Sequence, residues 1–265
     1  MSNNNPGALL AFLNHCLGDG DWTGTVGSWA TLPPIEHLGW EQVPVPYALV
    51  TPAGGVIELT FTPPGPMTFD VLAVLAHTAA DTLAYQPGLP AGAKVKFIDD
   101  STELAEVEWQ PVSGRDLPAN VYAVLSAPVT IDELTVRIED AGSDPVRLGG
   151  IWASPSIRFR ADRGRPVAVE DFSLMGRADA TRWPNRRAIT RASDVQASLV
   201  EQSQAEAFEG VFEQVGTSRP VIYIHRISTA EDRAKTALYG YLETPGVTHR
   251  AGGLYQVQFG VDEVR

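Results

Sequence analysis

A single cysteine, Cys16, stands among 265 residues. That excludes an internal disulfide and any metal site built from several thiolates. Lysine is nearly as scarce: Lys94, Lys96 and Lys235 are the only three, so almost all positive charge is arginine. Acids outnumber bases, for a net charge of −12. A chain this acidic is a poor generic partner for nucleic acid, whose phosphates are held by Lys and Arg. No run reaches the roughly 18 apolar residues of a membrane span, so membrane insertion is not expected. The opening Met1-Ser-Asn-Asn-Asn-Pro-Gly7 lacks the basic start of a secretory signal, and the expectation is a chain made and kept in the cytoplasm until it is assembled. Catalytic signatures are missing as well. There is no Gly-x-Ser-x-Gly elbow, no His-Glu-x-x-His and no Gly-x-x-x-x-Gly-Lys loop.

Period-two alternation is what the chain does have. Leu134-Thr-Val-Arg-Ile-Glu139 sets Leu134, Val136 and Ile138 against Thr135, Arg137 and Glu139, the pattern of a half-buried strand. Ala141-Gly-Ser-Asp-Pro145 breaks it with turn residues. Val56–Phe61, Lys94–Ile98, Glu106–Trp109 and Val121–Leu125 read as further strands. Thr68–His77 is nearly all apolar, as expected of a central strand buried on both faces, with a helix as the competing reading. Six to eight strands between turn signals predict an antiparallel sandwich over residues 20–160. Before it, Pro6–Gly18 predicts a short helix within residues 1–19, with Pro6 in the first turn and Gly18 at the exit.

Residues 158–191 differ from their surroundings. They hold nine arginines against four acids, a net of +5 that leaves −17 for the rest. Little periodicity is visible, and residues 161–192 read as a connector or arm. Arg158, Arg160, Arg163, Arg165, Arg182, Arg186, Arg187 and Arg191 are its candidate subunit-interface residues, through pairing with an acidic neighbour. Residues 193–265 then predict a smaller α+β unit. Ser203-Gln-Ala-Glu206 fits a capping box. Phe208, Val211, Phe212 and Val215 share one helical face, and Gly216 ends the helix. Three strands follow, over Pro220–Ile227, Lys235–Glu243 and Leu254–Val264.

Candidate chemistry is sparse. The histidines at 15, 37, 77, 225 and 249 are scattered singly and read as structural. Cys16 beside His15 reads as a packing residue, since neighbours on a helix do not face one another. Gly18-Asp-Gly-Asp-Trp-Thr-Gly24 has carboxylates at alternate positions, as a Ca²⁺ loop would. The distant acid of such a loop is missing, so this segment and Asp99–Glu103 read as solvated turns. No cofactor, no metal site and no catalytic residue is expected. Trp22, Trp29, Trp40 and Trp109 are candidates for a glycan-stacking platform, against the alternative that they anchor core and loops.

The run Arg147-Leu-Gly-Gly-Ile-Trp-Ala-Ser-Pro155 resembles the strand that closes a galactose-binding-like jelly roll in structural proteins of bacteriophage tails. Val56–Phe61, Val71–His77 and Leu134–Ile138 fit that module's strand order. Arg219-Pro-Val-Ile-Tyr-Ile224, Ala237-Leu-Tyr-Gly-Tyr-Leu242 and the ending Val261-Asp-Glu-Val264 are similar to the closing meander of distal-tail and tail-tip proteins of long-tailed phages. The resemblance implies a mainly β chain, a galactose-binding-like sandwich followed by a smaller α+β domain, and a structural, non-enzymatic component of the virion tail. It implies ring-forming contacts with copies of itself and with other tail proteins, joining tail tube to hub or fibres. The alternative function is carbohydrate binding by the sandwich loops, with host-surface glycans as ligands.

Overall fold

The computed structural model describes residues 7–16, 20–24, 48–50, 53–76, 92–109, 120–143, 146–162, 167–171, 174–178, 181–185 and 189–263. In chain order the strands of its first half are β1 (Ala8–Ala11), β2 (Asp21–Gly24), β3 (Ala48–Val50), β4 (Ile57–Thr62), β5 (Met67–Ala76), β6 (Lys94–Asp99), β7 (Thr102–Glu108), β8 (Val121–Ile131), β9 (Leu134–Glu139) and β10 (Val146–Ser154). There follow β11 (Ser156–Phe159), β12 (Val167–Asp171), β13 (Leu174–Ala178), β14 (Thr181–Asn185), β15 (Ile189–Val200), α1 (Gln202–Val215), β16 (Pro220–Ile224), α2 (Ala230–Thr236), β17 (Ala237–His249) and β18 (Tyr255–Glu263).

The predicted antiparallel sandwich is present. A five-stranded sheet, β2-β4-β9-β6-β7, faces a four-stranded one, β3-β10-β5-β8. Alternation sets the faces. Ile57, Leu59 and Phe61 of β4 meet Leu134, Val136 and Ile138 of β9 inside, while Glu58 and Thr60 point out beside Arg137 and Thr135. On the outer face Thr60 and Thr135 share a hydrogen bond of 3.0 Å, and Lys96 pairs with Glu139 at 2.9 Å.

The predicted N-terminal helix is not there. Ala8–Ala11 is a strand, hydrogen-bonded between β11 and β16 in a seven-stranded sheet ordered β11-β1-β16-β17-β18-β15-β12. Apolar content over this short run cannot distinguish a helix from a strand buried on both faces. Ala8 and Leu10 enter one core, Leu9 and Ala11 another. Past β1 the chain crosses to the sandwich through Leu13, which has φ 59, and Asn14. The Asn14 side chain donates to the Ile151 carbonyl at 2.9 Å and accepts from the amides of Ala153 and Cys16 at 2.9 and 3.1 Å.

The seven-stranded sheet curls on itself. Beyond β11 the Asp162 amide donates to the Gln196 carbonyl at 2.8 Å, and the Asp162 carboxylate accepts from Ser198 Oγ at 2.7 Å. Phe159, Tyr223 and Phe259 line the hollow, and α1 covers it with Phe208, Val211 and Val215. The helix begins two residues earlier than the capping-box pattern implies. Glu201 occupies the cap position without a side-chain bond, and Ser203 sits inside. Gly216, at φ 57, ends it as expected, its amide donating to the Phe212 carbonyl. The seven-residue α2 carries a cap that the sequence reading passed over: the Thr229 hydroxyl accepts from the Asp232 amide at 3.0 Å.

Layers are shared. Phe69, Leu72 and Val74 of β5 pack inside the sandwich, while Val71, Ala73 and Leu75 on its other face pack against the curled sheet. Trp152 of β10 lies in that second seam, edge-on to Tyr239 at 5.6 Å. Residues 161–192, expected as an aperiodic connector, contain antiparallel β pairs where they are described. β12 pairs with the start of β15, and β13 pairs with β14 in a register offset by one residue.

Candidate functional site

Strand directions give the two ends of the sandwich different character. At one end lie tight turns: 63–66 between β4 and β5, 100–101 between β6 and β7, and 132–133 between β8 and β9. Asp100 takes φ 53 in the second of these, so the acidic run Asp99–Glu103 is a hairpin turn. At the opposite end, marked by Ile57, Glu139 and Val146, the long connections leave: 25–47, 77–93 and 109–120. A sandwich presents its loops at its two ends, and binding residues concentrate on loops held by a rigid scaffold. The asymmetry therefore singles out the long-connection end.

The four tryptophans do not form one platform. Trp109 is 6% exposed and packs in the sandwich core. Its backbone amide donates to the Ala93 carbonyl at 2.7 Å. No ring face is left for a sugar, which removes Trp109 from the stacking set. Trp22, on β2, is half-buried against Phe61, ring centroids 4.8 Å apart, toward the tight-turn end. Its indole nitrogen is buried without a hydrogen-bond partner. Trp29 and Trp40 lie outside the described residues, in the 25–47 connection.

Two of the candidate interface arginines turn inward. Arg158 of β11 reaches Asp70 on β5 at 3.0 Å and donates to the Leu125 carbonyl. Asp70 also accepts from Ser156 Oγ at 2.9 Å. Its other oxygen is buried without a partner. This seam joins the curled sheet to the sandwich. Arg191, 6% exposed, donates from Nε to Glu263 Oε1 at 2.9 Å, and its second guanidinium arm binds the Ala237 carbonyl at 2.8 Å. Both are internal staples, a correction to the interface assignment: charge alone cannot tell a buried pairing from a surface one. Arg160 is exposed after β11. Arg182 lies on β14, and Arg163, Arg165, Arg186 and Arg187 are outside the described residues.

Other titratable groups also serve the frame. His15 Nε2 lies 2.9 Å from the Thr68 carbonyl, and burial holds the imidazole below its ordinary value. His225 Nδ1 meets Tyr223 Oη at 2.7 Å and is lowered by burial and then by Arg226. Burial pushes the Cys16 thiol up, away from nucleophile chemistry. His249 stands edge-on to Tyr255. His37 and His77 lie outside the described residues, and no three His, Cys, Asp or Glu side chains gather into a metal site among the described residues. No helix among them is long and apolar enough to cross a membrane. Asp70 was missed in sequence because it sits singly in an apolar run, where only its charge marks it.

No protein-family model matches the chain, and no curated protein matches it. Solved structures do. A fucose-binding module of Streptococcus pneumoniae aligns at 11% identity and TM-score 0.40, covering 54% of this chain and 95% of that one. The lectin domain of lectinolysin, solved with Lewis B antigen, aligns at 10% identity and TM-score 0.40 over 57% of this chain and 98% of its own. The family 32 carbohydrate-binding module of NanJ from C. perfringens, solved with galactose, aligns at 11% identity and TM-score 0.39 over 56% and 99%.

Proposed function

We propose that this chain is a non-catalytic recognition protein that binds carbohydrate at the long-connection end of its sandwich. The observation that carries the reading is that the strands flanking residues 25–47, 77–93 and 109–120 have their ends there, and the first of these stretches contains Trp29 and Trp40 in sequence. Indole faces suit the C–H faces of sugars, and a few polar groups on neighbouring loops supply orientation. A glycan-array screen of the full chain tests it. Binding should be found, and should be lost in Trp29→Ala and Trp40→Ala at unchanged melting temperature, while Trp22→Ala leaves it intact. A chain that binds no glycan, or binds equally well without both indoles, defeats the reading.

A second reading rests on a separate observation, the nine arginines of residues 158–191. It favours a building block of a larger particle, of the kind the phage tail-tip resemblance implies, with copies of the chain or other tail proteins as neighbours. Negative-stain images of the purified chain bear on it: rings or regular oligomers are expected, and uniform monomers that also fail to join any tail protein would remove it.

A further inference from the structure

All three long connections lead from one sheet of the sandwich to the other: residues 25–47 from β2 to β3, 77–93 from β5 to β6 and 109–120 from β7 to β8. Their described ends are held in two ways. Gly92 and Trp109 are tied through backbone. The Gly92 amide donates to the Trp109 carbonyl at 3.0 Å, and the Trp109 amide donates to the Ala93 carbonyl at 2.7 Å. Asn120, the last residue before β8, is held by a side chain instead. Its Nδ2 donates to Tyr122 Oη at 2.9 Å.

Tyr122 belongs to the seam between the sandwich and the curled sheet. It is 4% exposed and shares a cluster with Leu9, Ile222, Ile224 and Tyr239. A phenylalanine would fill this apolar seam without bringing in a polar atom that must be satisfied. The hydroxyl is therefore explained by its partner, Asn120. Burial pushes the phenol up to about 12, which keeps it neutral near pH 7, and the buried Arg191–Glu263 pair lies within its electrostatic reach. The Tyr122 backbone is held from the same side. Its carbonyl accepts from Arg233 Nε at 3.0 Å, and a second nitrogen of that guanidinium donates to the Ile227 carbonyl at 3.0 Å. Arg233 lies on α2, which packs on β8.

We propose that Tyr122 is a positioning residue for the loop-end carbohydrate site: through Asn120 it sets the exit of the 109–120 connection, and through Arg233 it ties that exit to the curled sheet. This role rests on the carbohydrate reading and gives the second half of the chain a part in it. Binding groups need a supporting shell that holds them to within about 0.5 Å, so slack at one loop exit lowers affinity even where no contact to the sugar is removed.

Concentration series of the full chain on one glycan array test this, at a temperature where circular dichroism shows every variant folded. Tyr122→Phe removes one hydroxyl and should weaken binding, on the spots that wild type occupies, by about fivefold. Asn120→Ala should lose at least as much, and the double variant no more than Asn120→Ala alone. Arg233→Met frees the Tyr122 carbonyl and should weaken binding similarly. Asn14→Ala is the control: it acts on the far half of β10, at Ile151 and Ala153, and should leave affinity unchanged. Affinity untouched by Tyr122→Phe overturns the positioning role and leaves the carbohydrate reading standing. Equal losses in Asn14→Ala and Tyr122→Phe overturn it too, since the effect then follows stability and not place. A double variant weaker than Asn120→Ala overturns the route through Asn120, and an unaffected Arg233→Met overturns the tie to the curled sheet. A wild type that occupies no spot overturns the role together with the reading beneath it.

Discussion

Asn14 shows what one side chain does here. The chain must pass from the curled sheet to the sandwich in a few residues, and backbone groups exposed by that crossing need partners. Asn14 supplies three bonds while buried. Asn14→Ala removes them and strands the Ala153 amide and Ile151 carbonyl, an expected loss of about 2–4 kcal/mol by urea denaturation. A loss under about 0.5 kcal/mol would show that water replaces the amide freely. Histidine gives a residue-scale prediction of a different kind. His15 and His225 both have folded values below 6.5, chiefly through burial. The unfolded chain therefore binds protons more readily, and stability rises with pH. Their contribution is fully present above about pH 6.5 and is lost as pH falls through the lowered folded values. Urea midpoints should decline as pH falls below neutrality, and the decline should flatten in a His15→Gln, His225→Gln double variant. An unchanged slope in that variant would assign the effect to other groups.

At the scale of elements, Gly240 decides whether β17 and β18 can pair. A Cβ there would lie 1.7 Å from the Asp262 carbonyl oxygen, and backbone cannot step aside as a flexible side chain can. Gly240→Ala should cost about 3 kcal/mol or more, read as a lowered denaturation midpoint, whereas Gly210→Ala, with open space around it, should stabilise α1 by about 0.5–1 kcal/mol. Nothing in Ala237-Leu-Tyr-Gly-Tyr-Leu242 announces that close approach. Elements with one wet face were legible: β4, β6 and β9 alternate visibly, and α1 shows its stripe of Phe208, Val211 and Val215. Thr68–His77 left strand and helix in competition, and the structure decides for the strand over Met67–Ala76. β1 was not legible, since a strand buried on both faces carries no alternation. The β pairs within residues 161–192 escaped notice for the opposite reason: their composition is dominated by charge, and their pairing is set by register. Of the candidate site, the loop end follows from strand directions that sequence does not give, and only packing sets Trp22 and Trp109 apart from it.

Among the described residues the sandwich and the curled sheet share faces, and this bears on how any function is delivered. β5 and β10 belong to two cores at once, so the sandwich cannot rotate against the curled sheet without opening the seam around Trp152, Tyr239, Ile222 and Leu9. Two charged contacts cross the same boundary: Arg158 to Asp70 at 3.0 Å, and Arg233 Nε to the Tyr122 carbonyl at 3.0 Å. Coupling of this kind predicts one cooperative unfolding transition, with calorimetric and van't Hoff enthalpies equal. Trp152→Ala attacks the seam while leaving the interior of each half alone. It should cost about 3–5 kcal/mol and broaden or split the transition, because each half retains a core of its own. Two separate transitions already present in the unsubstituted chain would mean that the shared seam contributes little, and that the halves merely touch.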